Sequence, residues 1–415
     1  MTKKKILMLA DHPLSTSGVG CQARWLINSL VNTGKYSFRV FGGAIKHDNY
    51  DVTKINDDFV IRPTDGFGSP DLLRVTLATE KPDVLLLFTD PRFFIWVWEM
   101  EEEVHQICPI VYWHLWDNYP WPDFNRVLYE STDMINCINT PTYDMVKKRF
   151  PEKTNYIPHA CPPEIYRPLE KTKIDIIKKQ LYGHRHDYFK GIWINRNARR
   201  KQPGDVLEAW KLFLDELEAK HGHRKAMLVM HTDPLDQEGP NLYKIVELFG
   251  MQENIMFSTD RIDFEEMNSL YNSVDFAVNV ATNEGFGLPT LEAMYCGKPI
   301  IALKTGGLSR QVVNVNTGEE NGIALEPEVK NLVGSQLVPY IYEDHVHNQT
   351  VANAFLKMYE YGPEMRAKLG QRALQYALTE YSMDNVGKAW DNALEKAVND
   401  FQEKQDKPKW TVDTF

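Results

Sequence analysis

Short apolar runs alternate along this chain with longer stretches whose apolar residues recur three and four positions apart. That alternation predicts parallel strands, each followed by a helix, as in an α/β sheet. In the first half, ILMLA (6–10), FRVFG (38–42), DVLLLF (83–88), PIVYW (109–113) and MINCIN (134–139) are predicted strands, and 20–33 is a predicted helix. The segment PHACPPEIYRPLE (158–170) then carries four prolines. Proline lacks a backbone donor and fixes φ, so this stretch interrupts both helix and sheet and marks a linker. The pattern restarts with FKGIWIN (189–195), AMLVMH (226–231), NIMFS (254–258), DFAVNVA (275–281) and PIIAL (299–303), with helices predicted at 203–220 and 263–272. From 329 to 402 no strand pattern stands out, and helices are expected throughout. The expected architecture is α/β, with two Rossmann-like domains facing across a cleft. The boundaries fall at 1–165 and 166–380, followed by a C-terminal helix and tail (381–415) able to pack back on the first domain.

Composition narrows the class. With 415 residues the chain exceeds one ordinary core, and a net charge of −10 argues against bulk electrostatic binding to nucleic acid or anionic membrane. Its five cysteines (Cys21, Cys108, Cys137, Cys161 and Cys296) are scattered, without C-x-x-C spacing. Reduced thiols in a cytoplasmic protein are expected, with neither a disulfide framework nor a zinc site. The opening MTKKKILMLADHP has an apolar run shorter than the roughly 7–15 residues of a signal peptide, so a first strand is expected there. No stretch reaches the ~20 apolar residues of a membrane-spanning helix, and contact with a membrane surface stays open.

Three segments at predicted strand ends carry chemistry suited to phosphate and sugar. In DHPLSTSGVG (11–20), Gly18 and Gly20 allow close backbone approach just where a helix start offers free N–H groups. In INRNARRK (194–201), Arg196, Arg199, Arg200 and Lys201 place four cations within six residues. In NEGFGLPTLEAMYCGKPIIALKTGG (283–307), Gly285 and Gly287 free a loop around Phe286 and Leu288, and Pro289 suits a first helical position. The amides at that helix start favour an anion, whereas Glu284 and Glu292 are suited to accept hydrogen bonds from sugar hydroxyls. The combination describes a site for a nucleoside diphosphate joined to a sugar.

The pattern E-G-F-G-L-P-x-x-E-A-M-x-x-G-x-P-I, with its glutamates eight positions apart, resembles the signature of the group 1 family of retaining glycosyltransferases, which have the GT-B fold. SGVG (17–20) and YIPHACPPEIYRP (156–168) are similar to the family's glycine loop and interdomain segment, and Arg196 and Lys201 have the spacing of its diphosphate-binding pair. The resemblance implies that Arg196 and Lys201 neutralise the departing diphosphate, helped by amides around Phe286–Leu288. It also implies that Glu292 holds ribose, that Glu284 faces the transferred sugar, and that His114 lies near the reacting centre. Gly18 or Gly20 would approach the diphosphate from the other domain. A nucleoside-diphosphate sugar is then the donor substrate, and no cofactor is required. The chain has no D-x-D triplet, so no metal site is indicated. Departures from the family are N-R-N in place of G-R-L around Arg196, Gln202 in place of the usual glycine, and His159 and Cys161 in the interdomain segment.

The acceptor is less marked. FFIWVWEMEEEV (93–104) and YWHLWDNYPWPDF (112–124) hold five of the ten tryptophans. Aromatic faces stack on sugars and bases, so Trp113, Trp116 and Trp121 are candidate acceptor contacts. A glycan or lipid-linked acceptor is the family expectation, and a modified nucleic-acid base is the narrower one. Two rivals stand beside the transferase: an epimerase of the same fold, and a non-catalytic nucleotide-sugar binder, which would have no need of His114.

Overall fold

The computed structural model describes residues 3–117 and 119–406. Residues 407–415 of the expected tail and Asn118 of the aromatic loop lie outside the described residues. The chain divides into two compact units. One comprises the residues up to Ala160, Ser335–Pro339 and those from Met383 on, and the other Cys161–Gly334 with Tyr340–Ser382.

The first unit is built on an eight-stranded sheet in the order β3-β4-β2-β1-β5-β6-β7-β8. Its strands are β1 (Lys4–Asp11), β2 (Tyr36–Gly43), β3 (Thr53–Asn56), β4 (Phe59–Pro63), β5 (Val84–Thr89), β6 (Ile110–His114), β7 (Met134–Cys137) and β8 (Thr154–Tyr156). All neighbours are parallel except β3 and β4. Strand order reverses between β1 and β5, which places the loop after β1 at the switch point where open α/β sheets bind ligands. Helix Gly18–Val31 follows that loop, and Ser17 Oγ caps it by accepting from the Gly20 amide at 3.0 Å.

The last helix, Met383–Asp406, belongs to this unit and buries one face on it. Trp390 is fully buried and tilts over Trp113 at 4.8 Å between ring centroids, while Trp113 stacks on Phe88 at 3.8 Å. Gly387 meets the helix Gly18–Val31, where an added Cβ would come within 2.5 Å of Ser29 Oγ. Asp391 accepts from Tyr36 Oη at 2.6 Å and from Lys35 Nζ at 2.7 Å. Removing the Trp390 side chain would cost about 3–5 kcal/mol.

The second unit has a six-stranded sheet in the order β11-β10-β9-β12-β13-β14, all parallel. Its strands are β9 (Phe189–Ile194), β10 (Ala226–His231), β11 (Ile255–Ser258), β12 (Phe276–Asn279), β13 (Ile300–Leu303) and β14 (Gly322–Leu325). Trp210, Phe213 and Phe355 from helices Pro203–His221 and Asn348–Glu360 fill the core against Phe189 and Phe276. Here the order reverses between β9 and β12.

The expectation of helix alone after 329 is corrected by β15 (Val329–Val333) and β16 (Ile341–His345), an antiparallel ribbon. Most of β15 is exposed, so it lacks the continuous apolar run that marked the buried strands. The short strands β3, β4, β8 and β14 also went unmarked. Among the described residues no helix is long and apolar enough to cross a membrane.

Candidate functional site

In the second unit, the loops after β9 and β12 flank the switch point, and they carry the cationic and glycine-rich segments. The loop after β9 is held by the loop after β10. Buried Asn197 donates through Nδ2 to the carbonyls of Pro240 at 2.9 Å and Pro234 at 3.3 Å, and Gly239 packs so closely that a Cβ would fall 2.1 Å from Asn197 Oδ1. The N-R-N departure therefore provides a buried clamp. Gln202 takes a left-handed conformation (φ 56°) as the chain turns into helix Pro203–His221. Glycine adopts that conformation without strain, which is the physical reason a glycine suits this position.

The cations are individually partnered. Arg196 grips Asp236 with two hydrogen bonds, at 2.7 and 3.1 Å, while remaining largely exposed. Arg199 pairs with buried Glu343 at 3.0 Å, and Arg200 donates to the Asn283 carbonyl at 2.8 Å. Lys201 is buried and forms an ion pair with Glu284, whose same oxygen accepts from Asn279 Nδ2 at 3.2 Å. Burial pushes the Glu284 carboxyl upward, but the charges of Lys201 and Arg200 outweigh it and hold the group below its ordinary range.

The 283–307 run folds as a unit. Gly306 and Gly307 press onto the backbone of the loop, where added Cβ atoms would sit 1.9 Å from Glu284 O and 2.5 Å from Phe286 Cα, and the Gly307 amide donates to Glu284 O at 3.0 Å. Gly287 has φ 90° and precedes helix Leu288–Tyr295. Buried Gln311 donates to the carbonyls of Phe286 (2.7 Å) and Gly287 (3.1 Å), and Thr290 Oγ1 ties Gly287 O to Gln311. The closing Gly-Gly thus shapes the loop that carries Glu284, Gly285 and Phe286.

Glu292 projects from that helix to Tyr271, whose hydroxyl donates to Oε2 at 2.7 Å, and Tyr166 contributes a second hydrogen bond. Burial raises this carboxyl to about 7 despite both donors. Neither tyrosine was picked out from the sequence. The aromatic residue of PPEIYRP and the tyrosine of SLYNS carried no charge pattern to mark them.

In the first unit the sequence-based assignments fare differently. His114 ends β6 but is wholly enclosed, with Nε2 3.0 Å from Tyr129 Oη and Nδ1 3.6 Å from Cys137 Sγ. Burial drives its pKa down to about 3. The ring packs within the first unit, between Tyr112 and Tyr129 and against Cys137. Trp113 packs against Phe88, His159 and Trp390. Trp116 is also buried, whereas Trp121 is partly buried beneath the Arg149 guanidinium at 4.2 Å. His159 is buried in the same aromatic cluster. Gly18 opens the helix, and Gly20 lets the preceding loop fold on itself, because an added Cβ would lie 2.3 Å from Ser15 Oγ.

Comparison with known proteins establishes first the fold and then the family segment. The chain superposes on sucrose-phosphate synthase from Thermosynechococcus elongatus with a TM-score of 0.73 at 15% identity, covering 95% of this chain and 99% of that one. It superposes on the Anabaena protein HepE in complex with UDP and glucose with a TM-score of 0.69 at 15% identity, covering 95% and 100%. The fold is GT-B. Residues 176–335 match the family described as Glycosyl transferases group 1. A D-inositol 3-phosphate glycosyltransferase from Corynebacterium jeikeium (strain K411) is 26% identical over 189 residues, which is 45% of this chain and 41% of that protein. The matched stretch therefore spans less than half of that relative's length.

Proposed function

We propose that the chain is a glycosyltransferase that moves a sugar from a nucleoside-diphosphate sugar to an acceptor hydroxyl, with retention at the anomeric carbon. One observation carries this reading. A single switch point gathers the buried Lys201–Glu284 pair, exposed Arg196, the start of helix Leu288–Tyr295 after Gly287, and Glu292 with its two tyrosine donors. Arg196, Lys201 and the loop amides are assigned to the diphosphate, where they stabilise charge as the bond to the sugar breaks. Glu284 is assigned to the sugar hydroxyls and Glu292 to the ribose.

In this mechanism a donor phosphate oxygen takes the acceptor proton on the face from which the leaving group departs. Positioning and leaving-group stabilisation then supply most of the rate. We assign the reaction no metal, on the grounds that the cations already neutralise the leaving group; turnover unchanged by EDTA is the expected result. The acceptor is assigned to a glycan or lipid-linked sugar, and the compartment to the cytoplasm, in keeping with five cysteines that form no disulfide among the described residues.

The test is a thermal-shift panel of UDP, GDP, ADP, dTDP and CMP, followed by the matching sugar nucleotides. UDP-glucose comes first, because HepE was solved with UDP and glucose. Stabilisation by one base supports the reading, and no shift with any of them overturns it. The enclosure of His114 favours a second reading, a nucleotide-sugar binder without turnover. Release of free sugar from a bound donor would exclude that alternative.

A further inference from the structure

Strand β16 touches three of the loops gathered at the switch point of the second unit. Along one edge it pairs with β15, which is mostly exposed. Residues two apart on a strand direct their backbone groups to the same edge. Tyr342 and Asp344 direct theirs to the loop after β12. The Asp344 amide donates to the Thr282 carbonyl at 3.0 Å, and the Tyr342 carbonyl accepts from Asn283 Nδ2 at 2.7 Å.

Side chains on a strand alternate between faces, so Glu343 and Asp344 point opposite ways. Both are nevertheless buried, at 4% and 2% exposure. Glu343 reaches the loop after β9, where Arg199 pairs with it at 3.0 Å. Asp344 reaches the loop after β13, where Thr305 Oγ1 donates to its Oδ2 at 2.8 Å. Buried carboxylates cost stability unless they are paired or hydrogen-bonded, so both acids draw on these partners. One short strand thus holds the loops after β9, β12 and β13 with two side chains and one backbone edge.

Two of those loops are also laced to each other beside the buried ion pair. The Thr282 amide donates to the Arg200 carbonyl at 2.8 Å, and Arg200 Nη1 donates to the Asn283 carbonyl at 2.8 Å. Lys201 and Glu284 are the next residues along the two loops, so these ties set how far apart they stand. The four cations of 194–201 therefore divide. Arg199 and Arg200 bond to neighbouring segments, Lys201 faces Glu284, and Arg196 stays largely exposed on Asp236.

We propose that Glu343 and Asp344 are positioning residues: β16 braces the three loops and thereby sets the spacing of Lys201 and Glu284. The brace itself stands on the bonds above; its importance for departure of the diphosphate rests on the glycosyltransferase reading. Stabilising a leaving group depends on where the cation stands as the bond breaks, and a misplacement of about 1 Å costs on the order of 100-fold in rate. Loosened loops still carry the same groups for the bound donor, so the loss falls on kcat rather than on KM.

The test compares wild type with Glu343→Met, Glu343→Gln and Thr305→Val. Hydrogen–deuterium exchange is measured without ligand, and sugar release is measured from UDP-glucose or whichever sugar nucleotide of the panel binds. Glu343→Met leaves the solvent-exposed Arg199 without its partner, and Thr305→Val is nearly isosteric, so each cuts one tie with little change of volume. The expected result for both is exchange at 199–202 and 282–288 faster by about tenfold or more, with strands β9 to β14 unchanged. In both, kcat should fall by about 10- to 100-fold while KM changes far less. Glu343→Gln, which keeps an acceptor for Arg199, should lie between Glu343→Met and wild type.

Unchanged exchange in both loops overturns the brace. Faster exchange with kcat within about twofold of wild type overturns the positioning role, since β16 would then serve stability alone. If wild type neither binds a nucleotide of the panel nor releases sugar, the glycosyltransferase reading falls, and exchange alone decides for or against the brace. Wild-type turnover with unchanged exchange in the variants sinks this inference alone. Should Glu343→Met misfold, Thr305→Val carries the same comparison from the other face of β16.

Discussion

Lys201 and Glu284 form a buried ion pair joining the loop after β9 to the loop after β12 across the switch point of the second unit. The two side chains are about equally enclosed, and Asn279 donates to the same carboxylate oxygen. Such a pair is expensive to break from one side, because the remaining charge loses its main partner while staying shielded from water.

Lys201→Ala is therefore expected to lower stability by about 3–5 kcal/mol as well as abolish turnover. The double variant Lys201→Met with Glu284→Gln removes both charges and should recover most of the loss while remaining inactive. Differential scanning calorimetry on the two proteins checks this. A single variant as stable as wild type would mean that the pair is exposed in solution.

Glu292 provides a pH signature. Its carboxyl, raised by burial to about 7, stays largely protonated below neutral pH. A group whose folded pKa lies above its unfolded value contributes stability that is fully present below about pH 4.5 and is lost as pH rises through about 7. Ribose hydroxyls donate best to the ionised form, so nucleotide affinity should rise between about pH 5.5 and 7.5 with release of a proton. Calorimetric titration in buffers of different ionisation enthalpy measures that proton. The rise should vanish in Glu292→Gln; its persistence there would remove Glu292 from the ribose assignment.

The sequence showed the second unit more clearly than the first, for physical reasons. Arg196, Lys201, Glu284 and Glu292 are charged residues at the ends of long apolar runs, and a charge beside a buried strand stands out in one dimension. Their partners Asp236, Asn279, Tyr271 and Tyr166 come from other segments, and only the folded chain brings them in. A strand-end position does not say which way a ring points: β6 directs His114 among Tyr112, Tyr129 and Cys137. The β15–β16 ribbon escaped notice because an exposed ribbon does not need the apolar run of a buried strand.

Gln202 tests the turn into helix Pro203–His221. A left-handed non-glycine residue carries roughly 1 kcal/mol of strain, and a β-branched one carries more. Gln202→Val should lower the melting temperature of the second unit, whereas Gln202→Gly should leave it unchanged or raised. Equal melting of the two variants would show that the loop adopts another backbone in solution.

His114 gives the sharpest contrast between expectation and structure. Its ring packs against Tyr112 edge-on at 5.0 Å and Tyr129 edge-on at 5.2 Å, and meets Cys137 through Nδ1. His114→Phe keeps most of the packing volume but deprives Tyr129 of one hydrogen-bond partner within the core. A loss of about 1–3 kcal/mol is expected for a polar group so stranded. Because the folded ring resists protonation down to about pH 3, wild type loses stability as pH falls below about 6.5, where the unfolded chain takes up the proton, and His114→Phe should lack that part of the acid dependence. The rate of sugar release or transfer, measured on folded protein at a temperature well below melting, should remain within about twofold of wild type, since less than half a kcal/mol in the barrier corresponds to that factor. A variant as stable as wild type but inactive would place His114 at the reacting centre.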